Sequence, residues 1–228
     1  MEYWLSRTEN LIGKETLDKL RNSSVAIIGI GGVGSFCAEA LARTGINNIT
    51  LIDMDTIDIT NINRQLIADT STIGRLKANV MKERILKINP NANVITFPIF
   101  LDENNISSVI TTNFDYVIDC IDTVNSKIAL IEYCYKMNIK IISALGTGNK
   151  IDPTKFEITD ISKTSVCPLA RAIRKKLKSK NIEHLTVVYS KEEPIKIENS
   201  TTPASISFVP SVAGLLIASK VIENLTSK

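Results

Sequence analysis

Val25-Ala26-Ile27-Ile28-Gly29-Ile30-Gly31-Gly32-Val33-Gly34-Ser35 runs from an uncharged, mostly β-branched segment straight into a glycine cluster. Its first four residues suit a strand buried on both faces of a parallel sheet. Beyond the glycines, Phe36, Ala40 and Leu41 recur at helical spacing, and Gly45 closes the pattern after Thr44. Strand, glycine turn and helix N-terminus together make a phosphate site. Glycines let the backbone approach the anion, and unpaired N–H groups with the helix dipole attract it. The spacing Gly29-x-Gly31-x-x-Gly34 fits a dinucleotide enzyme as well as an ATP enzyme. The neighbouring residues have to decide between them.

On either side of this turn the chain alternates between strand and helix patterns. A short helix over Glu15–Arg21 precedes the first strand, and Asn48–Asp53, Asn93–Phe97, Phe114–Asp119 and Lys140–Ala144 read as further strands. Helical patterns over Ala78–Asn89, Asn104–Thr111 and Val124–Met137 separate them. Such alternation predicts an α/β fold with a doubly wound, mostly parallel, Rossmann-like sheet. After Gly148 it weakens. Phe156–Ile161 and Thr186–Ser190 read as strands around a basic helix over Leu169–Lys178, Lys191–Thr202 as a mobile loop, and Phe208–Leu225 as a closing helix.

Bulk properties exclude several classes. Of the 228 residues, 44% are hydrophobic and 22% charged, the balance of a globular chain and not of a disordered one. Met1–Asn10 is polar and charged, unlike a signal peptide. The uncharged stretch Ser200–Ser219 contains Pro203 and Pro210, and its apolar core Val212–Ala218 is too short to span a bilayer. It reads as a buried strand and helix, so no membrane partner is expected and the expected location is cytoplasmic. Cys37, Cys120, Cys134 and Cys167 form no Cys-x-x-Cys pair and His184 is the single histidine, so no zinc is expected. Charge is uneven. Residues 1–150 carry 15 Lys and Arg against 16 Asp and Glu, whereas residues 151–228 carry 12 against 8.

Side chains with chemical potential fall at strand C-termini, where open α/β sheets build their sites. Asp53 and Asp55 end the second strand, about 20 residues past the glycines, where an acid accepts ribose hydroxyls. Asn61-Ile62-Asn63-Arg64-Gln65 and Lys77 follow. A dinucleotide enzyme has no need of that arginine and lysine, but an ATP enzyme uses such groups to hold phosphates and stabilise departing pyrophosphate. Asp122, in Asp119-Cys120-Ile121-Asp122, can serve magnesium and the α-phosphate or can cap the next helix with Thr123.

Five motifs in this order, over residues 5–150, resemble the ThiF/MoeB/HesA superfamily of adenylating enzymes, relatives of the ubiquitin activators. The stretches Arg7–Gly13, Gly148–Thr154, Asp160–Thr164, Cys167–Ala170 and Val188–Pro194 resemble, more narrowly, the branch that dehydrates N6-threonylcarbamoyladenosine in tRNA. The resemblance implies one adenylating domain over 1–228, with a nucleotide-binding core over 1–150 and a basic, tRNA-facing extension over 151–228. It implies that Gly31 and Gly32 approach the ATP phosphates and that Asp53 binds ribose beside Asp55. Asn61, Arg64, Gln65 and Lys77 would hold the phosphates, and Asp122 would serve Mg2+. Arg64, Lys77 and Asp122 would be catalytic. It also implies a homodimer in which Arg7 reaches the partner subunit's nucleotide. Whether sulfur-transfer proteins assist, and whether a monovalent cation (K+ or Na+) orders the loop after Gly148, stay open.

The basic helix suggests the tRNA contact. Arg171, Arg174, Lys175 and Lys178 fall at i, i+3, i+4 and i+7, on one face, which suits an RNA phosphate backbone. Cys167 alone lies where relatives that activate carrier proteins place a nucleophile, but it precedes Pro168 at a helix start and reads as structural. Adenylation of a sulfur-carrier protein's C-terminus is therefore the second reading. An NAD oxidoreductase is the third, and it leaves Arg64, Lys77 and the second acidic pair unexplained.

Overall fold

The computed structural model describes residues 3–198 and 202–227. Two helices, α1 (Ser6–Ile12) and α2 (Lys14–Asn22), lead into β1 (Ser24–Ile28), α3 (Gly34–Thr44) and β2 (Asn48–Ile52). There follow α4 (Lys77–Ile88), β3 (Asn93–Phe97), α5 (Ile106–Val109), β4 (Tyr116–Asp119), α6 (Val124–Lys136) and β5 (Ile141–Ala144). The chain closes with β6 (Phe156–Asp160), α7 (Pro168–Lys178), β7 (Thr186–Ser190) and α8 (Phe208–Thr226).

The seven strands form one sheet in the order β3-β2-β1-β4-β5-β7-β6, parallel except for β6, which runs antiparallel to β7. The expected doubly wound α/β sheet is observed, and the C-terminal strands extend it instead of standing apart. Ile27, Val117 and Ile142 are inaccessible, as the unbroken apolar runs of β1, β4 and β5 require. One face packs on α3, α4 and α8 through Leu41, Met81 and Ile217; the other packs on α5 and α6 through Ile106 and Leu130. A further cluster, with Ile173, Leu177 and Tyr189, seats α7.

Helix α8 is long and apolar enough to cross a membrane by composition, but half of that stretch is buried against the rest of the chain. Its Gly214 faces α3 so closely that a Cβ there would lie 2.3 Å from the Val33 carbonyl oxygen. Among the described residues of that stretch, 202–207 contain no strand, and α8 is the helix of the expected strand-and-helix pair.

The segment expected to be a mobile loop is tied down where it is described. The Glu192 carboxylate accepts from the Ile151 and Asp152 N–H groups at 3.0 Å each, and Ile195 N–H donates to Asn149 O at 2.8 Å. Lys150, buried, donates to Glu192 O. Residues 199–201 lie outside the described part.

Registry aligns the strand ends. Ile28 pairs with Ile52 on one side and Asp119 on the other, and Asp119 pairs with Ser143. The chain winds outward from β1 through β2 and β3, then returns to β4 on β1's other side. The crevice beyond Ile28 and Asp119 is thus the switch point at which open α/β sheets bind ligands.

Candidate active site

At this switch point the glycine turn meets the β4 turn. Gly29 has φ +87°, and a Cβ on it would lie 2.7 Å from Cys120 O; a Cβ on Gly34 would lie 1.8 Å from Gly29 O. Neither position can carry a side chain. Gly31 differs: a Cβ there would meet only Gln65 Nε2, at 3.7 Å, so its open side is free for an incoming group. At Gly32 a Cβ would touch Pro210 of α8 at 3.1 Å, and Arg64 O lies 3.4 Å away. The contribution of α8 to the glycine turn had no sequence signal short of the fold itself.

A chain of hydrogen bonds leads from this turn to α4. Ile30 N–H donates to Asp53 Oδ2 at 2.6 Å, and Asp55 N–H donates to Asp53 Oδ1 at 2.8 Å. Lys77 Nζ then donates to Asp55 Oδ2 at 2.7 Å, and the Lys77 N–H to Asp55 O at 3.0 Å. Burial raises the pKa of Asp53, opposed by the two backbone N–H donors and by the Lys77 charge. Lys77 is the first residue of α4. A cation is disfavoured at a helix N-terminus, where the dipole prefers anions. Asp55 compensates it in part, and a phosphate would do so further.

The segment carrying Arg64 lies against the same turn. Ser35 Oγ donates to Gly31 O at 2.6 Å and accepts from Leu66 N–H at 3.3 Å. Asn61 Oδ1 accepts from Asp58 N–H at 3.2 Å, and Asp58 accepts from Thr60, closing a box around a short 3-10 turn at Ile59–Asn61. Arg64 Nη1 donates to Thr60 O at 2.8 Å and to Asn63 Oδ1 at 2.9 Å. Gln65 is buried, and its Oε1 has no hydrogen-bond partner. The Gln65 atom that faces Gly31's open side is the donor Nε2, and a buried amide oxygen without a partner is a polar group that calls for one.

Gly31, Gly32, Asp53, Asp55, Arg64, Gln65 and Lys77 are therefore gathered around one turn, with Asn61 shaping the loop that carries two of them. Asp122 is exposed two residues beyond Cys120. The cap expected from Asp122 with Thr123 is not formed among the described residues: the N-cap Thr123 makes no side-chain bond to the helix, and its Oγ1 lies 3.4 Å from Asp122 Oδ1. Arg7 is exposed on α1.

The stripe on α7 divides. Arg171, Lys175 and Lys178 are exposed. Arg174 is turned inward instead, its Nη1 donating to Ile161 O (3.2 Å), Thr164 O (2.9 Å) and Thr164 Oγ1 (2.6 Å). Cys167 begins this helix, buried, with Sγ accepting from Ala170 N–H at 3.5 Å and packing against Gly146.

Residues 5–228, from the first buried leucine through the last helix, match the ThiF family. The chain belongs to the ThiF family. Among ThiF-family relatives, a tRNA threonylcarbamoyladenosine dehydratase of Bacillus subtilis is 45% identical over 99% of this chain and 95% of its own length. A crystal structure of the Escherichia coli tRNA N6-threonylcarbamoyladenosine dehydratase, TcdA, in complex with ATP, superposes with TM-score 0.92. It is 37% identical and covers 99% of this chain and 96% of that one. An adenylyltransferase and sulfurtransferase of Vanderwaltozyma polyspora is 39% identical over 62% of this chain, which spans 32% of that protein.

Proposed function

We propose that this ThiF-family chain is an ATP-dependent tRNA threonylcarbamoyladenosine dehydratase. The observation that carries the reading is the end-to-end match to a dehydratase, which includes the basic C-terminal part, whereas the match to the adenylyltransferase and sulfurtransferase is partial. The site's chemistry agrees with it.

A carboxylate is a poor electrophile, and its oxide is a poor leaving group. The threonyl carboxylate oxygen attacks the α-phosphorus of ATP, the α–β bridging P–O bond breaks, and pyrophosphate leaves. Arg64 and Lys77 neutralise the charge that develops on the departing oxygens. A carbamoyl atom of the same nucleoside then attacks the activated carbonyl, closes a five-membered ring and expels AMP. Proximity within one nucleoside supplies the rate, so no protein nucleophile is needed. Asp53 and Asp55 hold the ribose end, Gly31 and Gly32 floor the phosphates, and the Gln65 amide Nε2 beside Gly31 donates to them. Asp122 offers one exposed carboxylate, which fits Mg2+, an ion that takes one or two carboxylates together with phosphate oxygens.

Arg171, Lys175 and Lys178 contact the tRNA backbone, and Arg174 holds the preceding loop in place. The enzyme works in the cytoplasm as a homodimer, with Arg7 reaching the partner's nucleotide.

The test supplies purified protein with Mg2+, ATP and one of unmodified tRNA, threonylcarbamoylated tRNA or a small sulfur-carrier protein. AMP release and nucleoside mass are followed. The expected result is AMP only with the modified tRNA, whose nucleoside loses one water. Adenylation of the carrier protein with no loss of water from the tRNA would reject the reading.

A further inference from the structure

Beneath the Asp122 turn lies a charged network that neither the nucleotide nor the tRNA assignment uses. Lys127 and Asp119 are both wholly inaccessible, with Lys127 Nζ 2.7 Å from Asp119 Oδ2. Lys127 Nζ also donates to Ala144 O at 3.0 Å, and Ser143 Oγ donates to the same Asp119 oxygen at 2.7 Å. The second Asp119 oxygen accepts from Ile121 N–H at 3.0 Å. The bonds of this carboxylate thus reach three places: α6, the end of β5, and the turn that leads to Asp122.

An ion pair of this kind is a poor way to gain stability. Desolvating both charges costs about as much as their attraction returns, and an apolar pair of similar volume often folds as well. What the pair does supply is geometry. Asp119 Oδ1 bonds the N–H two residues ahead, the bond that fixes an Asx turn. The same turn presses Cys120 O against Gly29, and Cys120 N–H donates to Ile28 O at 2.8 Å. One carboxylate therefore sets the Asp122 backbone relative to the glycine turn, and Lys127 holds that carboxylate from α6 while gripping the β5 end through Ala144.

We propose that Lys127 and Asp119, with Ser143, are positioning residues that hold Asp122 in register with the glycine turn for adenylation. This rests on Asp122 serving the nucleotide. Removing such supporting bonds costs about 10- to 100-fold in activity or metal affinity while the fold stands.

The experiment compares D119L/K127M, which removes both charges and the Asx bond, with D119N/K127M, whose new side-chain amide oxygen still accepts from Ile121 N–H. AMP formation on threonylcarbamoylated tRNA, its Mg2+ dependence and Tm are measured. For D119L/K127M we expect kcat about 10- to 100-fold lower, a higher Mg2+ requirement, and an ATP KM and Tm near those of the parent. D119N/K127M should recover the part of kcat that the Ile121 bond carries and stay below the parent, because Lys127's bonds to Asp119 and Ala144 are gone. Ser143→Ala leaves the ion pair whole and gives a reading that does not depend on either double variant folding; its kcat should fall several-fold at nearly unchanged Tm. Parental kcat and Mg2+ dependence in Ser143→Ala or D119L/K127M overturn the proposal, as does a D119N/K127M variant no better than D119L/K127M. Asp122→Ala is run beside them. Its loss of AMP formation, with parental kcat in the network variants, overturns the positioning role alone. Parental kcat in Asp122→Ala overturns the assignment of Asp122 as well.

Discussion

Lys77 Nζ sits 2.7 Å from Asp55 Oδ2 at the N-terminus of α4, with the lysine almost enclosed and the aspartate half exposed. A pair with one solvated partner is worth about 1 kcal/mol or less to folding, so stability does not explain a cation at the end of a helix that prefers anions. Lys77→Ala should therefore keep Tm within the range of a surface change while AMP formation falls about 100-fold or more, as for removal of one donor to a developing oxyanion. Arg64→Ala, which forfeits bonds to Thr60 and Asn63 among the described residues, should behave alike. Differential scanning calorimetry beside an AMP assay reads both. Unimpaired AMP formation would remove the residue concerned from the site.

The glycines separate folding from binding. Gly34→Ala puts a Cβ 1.8 Å from Gly29 O and should prevent a stable native state. Gly31→Ala meets only a side-chain nitrogen at 3.7 Å and should fold with parental Tm. Its methyl group would nonetheless occupy the space the phosphates need, and ATP affinity by calorimetric titration should drop at least about tenfold, roughly 1.4 kcal/mol or more. Parental affinity in Gly31→Ala would place the phosphates elsewhere.

Much of this site was legible because it lies in one linear run of turns. The glycine spacing, the acids ending β2 and the Arg64 segment each follow a strand, and the parallel sheet brings strand ends together by its own rule. Three parts were not legible. Lys127 reads as an ordinary polar residue of a helix, since only the packing of α6 on the ends of β4 and β5 turns its ammonium onto the buried Asp119 carboxylate. Arg174 has the right spacing for a solvent-facing stripe, but periodicity gives a direction around the helix and not the acceptors at Ile161 and Thr164 that draw its guanidinium back. Pro210 reaches Gly32 from about 180 positions away in sequence, a closeness that only the tertiary packing of α8 creates.

The thiols should be silent. Burial pushes Cys120 and Cys134 up to about 12 and holds Cys37 well above the usual thiol range, so the thiolate needed for alkylation is scarce at neutral pH. Cys167 is enclosed under Gly146. Iodoacetamide should label none of the four in the native protein and all four in denaturant, read by mass spectrometry. Cys167→Ala should retain at least half of the AMP formation. A fall of about 100-fold or more in Cys167→Ala, about 2.7 kcal/mol of transition-state stabilisation, would reinstate a thioester step.

Asp53 gives the site its pH dependence. Burial holds its pKa above that of an ordinary aspartate, so on acidification it protonates before exposed carboxylates do. Only the ionised form can accept from Ile30 N–H, Asp55 N–H and ribose hydroxyls together. ATP affinity should weaken as pH falls through this raised pKa. For folding the sign is opposite: the native state binds the proton more tightly than the unfolded chain, so protonation of Asp53 adds stability, and that contribution is lost as pH rises through the folded pKa. Asp53→Asn should bind ATP weakly at every pH and lack this acidic limb. An unchanged limb in Asp53→Asn would assign it to another group.

The divided α7 stripe predicts two different failures. Arg171, Lys175 and Lys178 have exposed side chains, so replacing all three with Gln should leave Tm nearly unchanged. Each phosphate no longer neutralised lowers the slope of log affinity against log salt by about 0.7 to 0.9, and the triple variant's tRNA-binding slope should therefore be shallower by about 2 to 3. Arg174→Gln should leave that slope alone, because its guanidinium is spent on Ile161 and Thr164. It should instead cost about 1.5 to 3 kcal/mol of stability, the worth of hydrogen bonds from a charged group to part-buried acceptors. Fluorescence anisotropy with labelled tRNA over a salt series, beside urea unfolding, separates the two effects. A triple variant with the parental slope would move the tRNA off this helix, whatever Arg174 does.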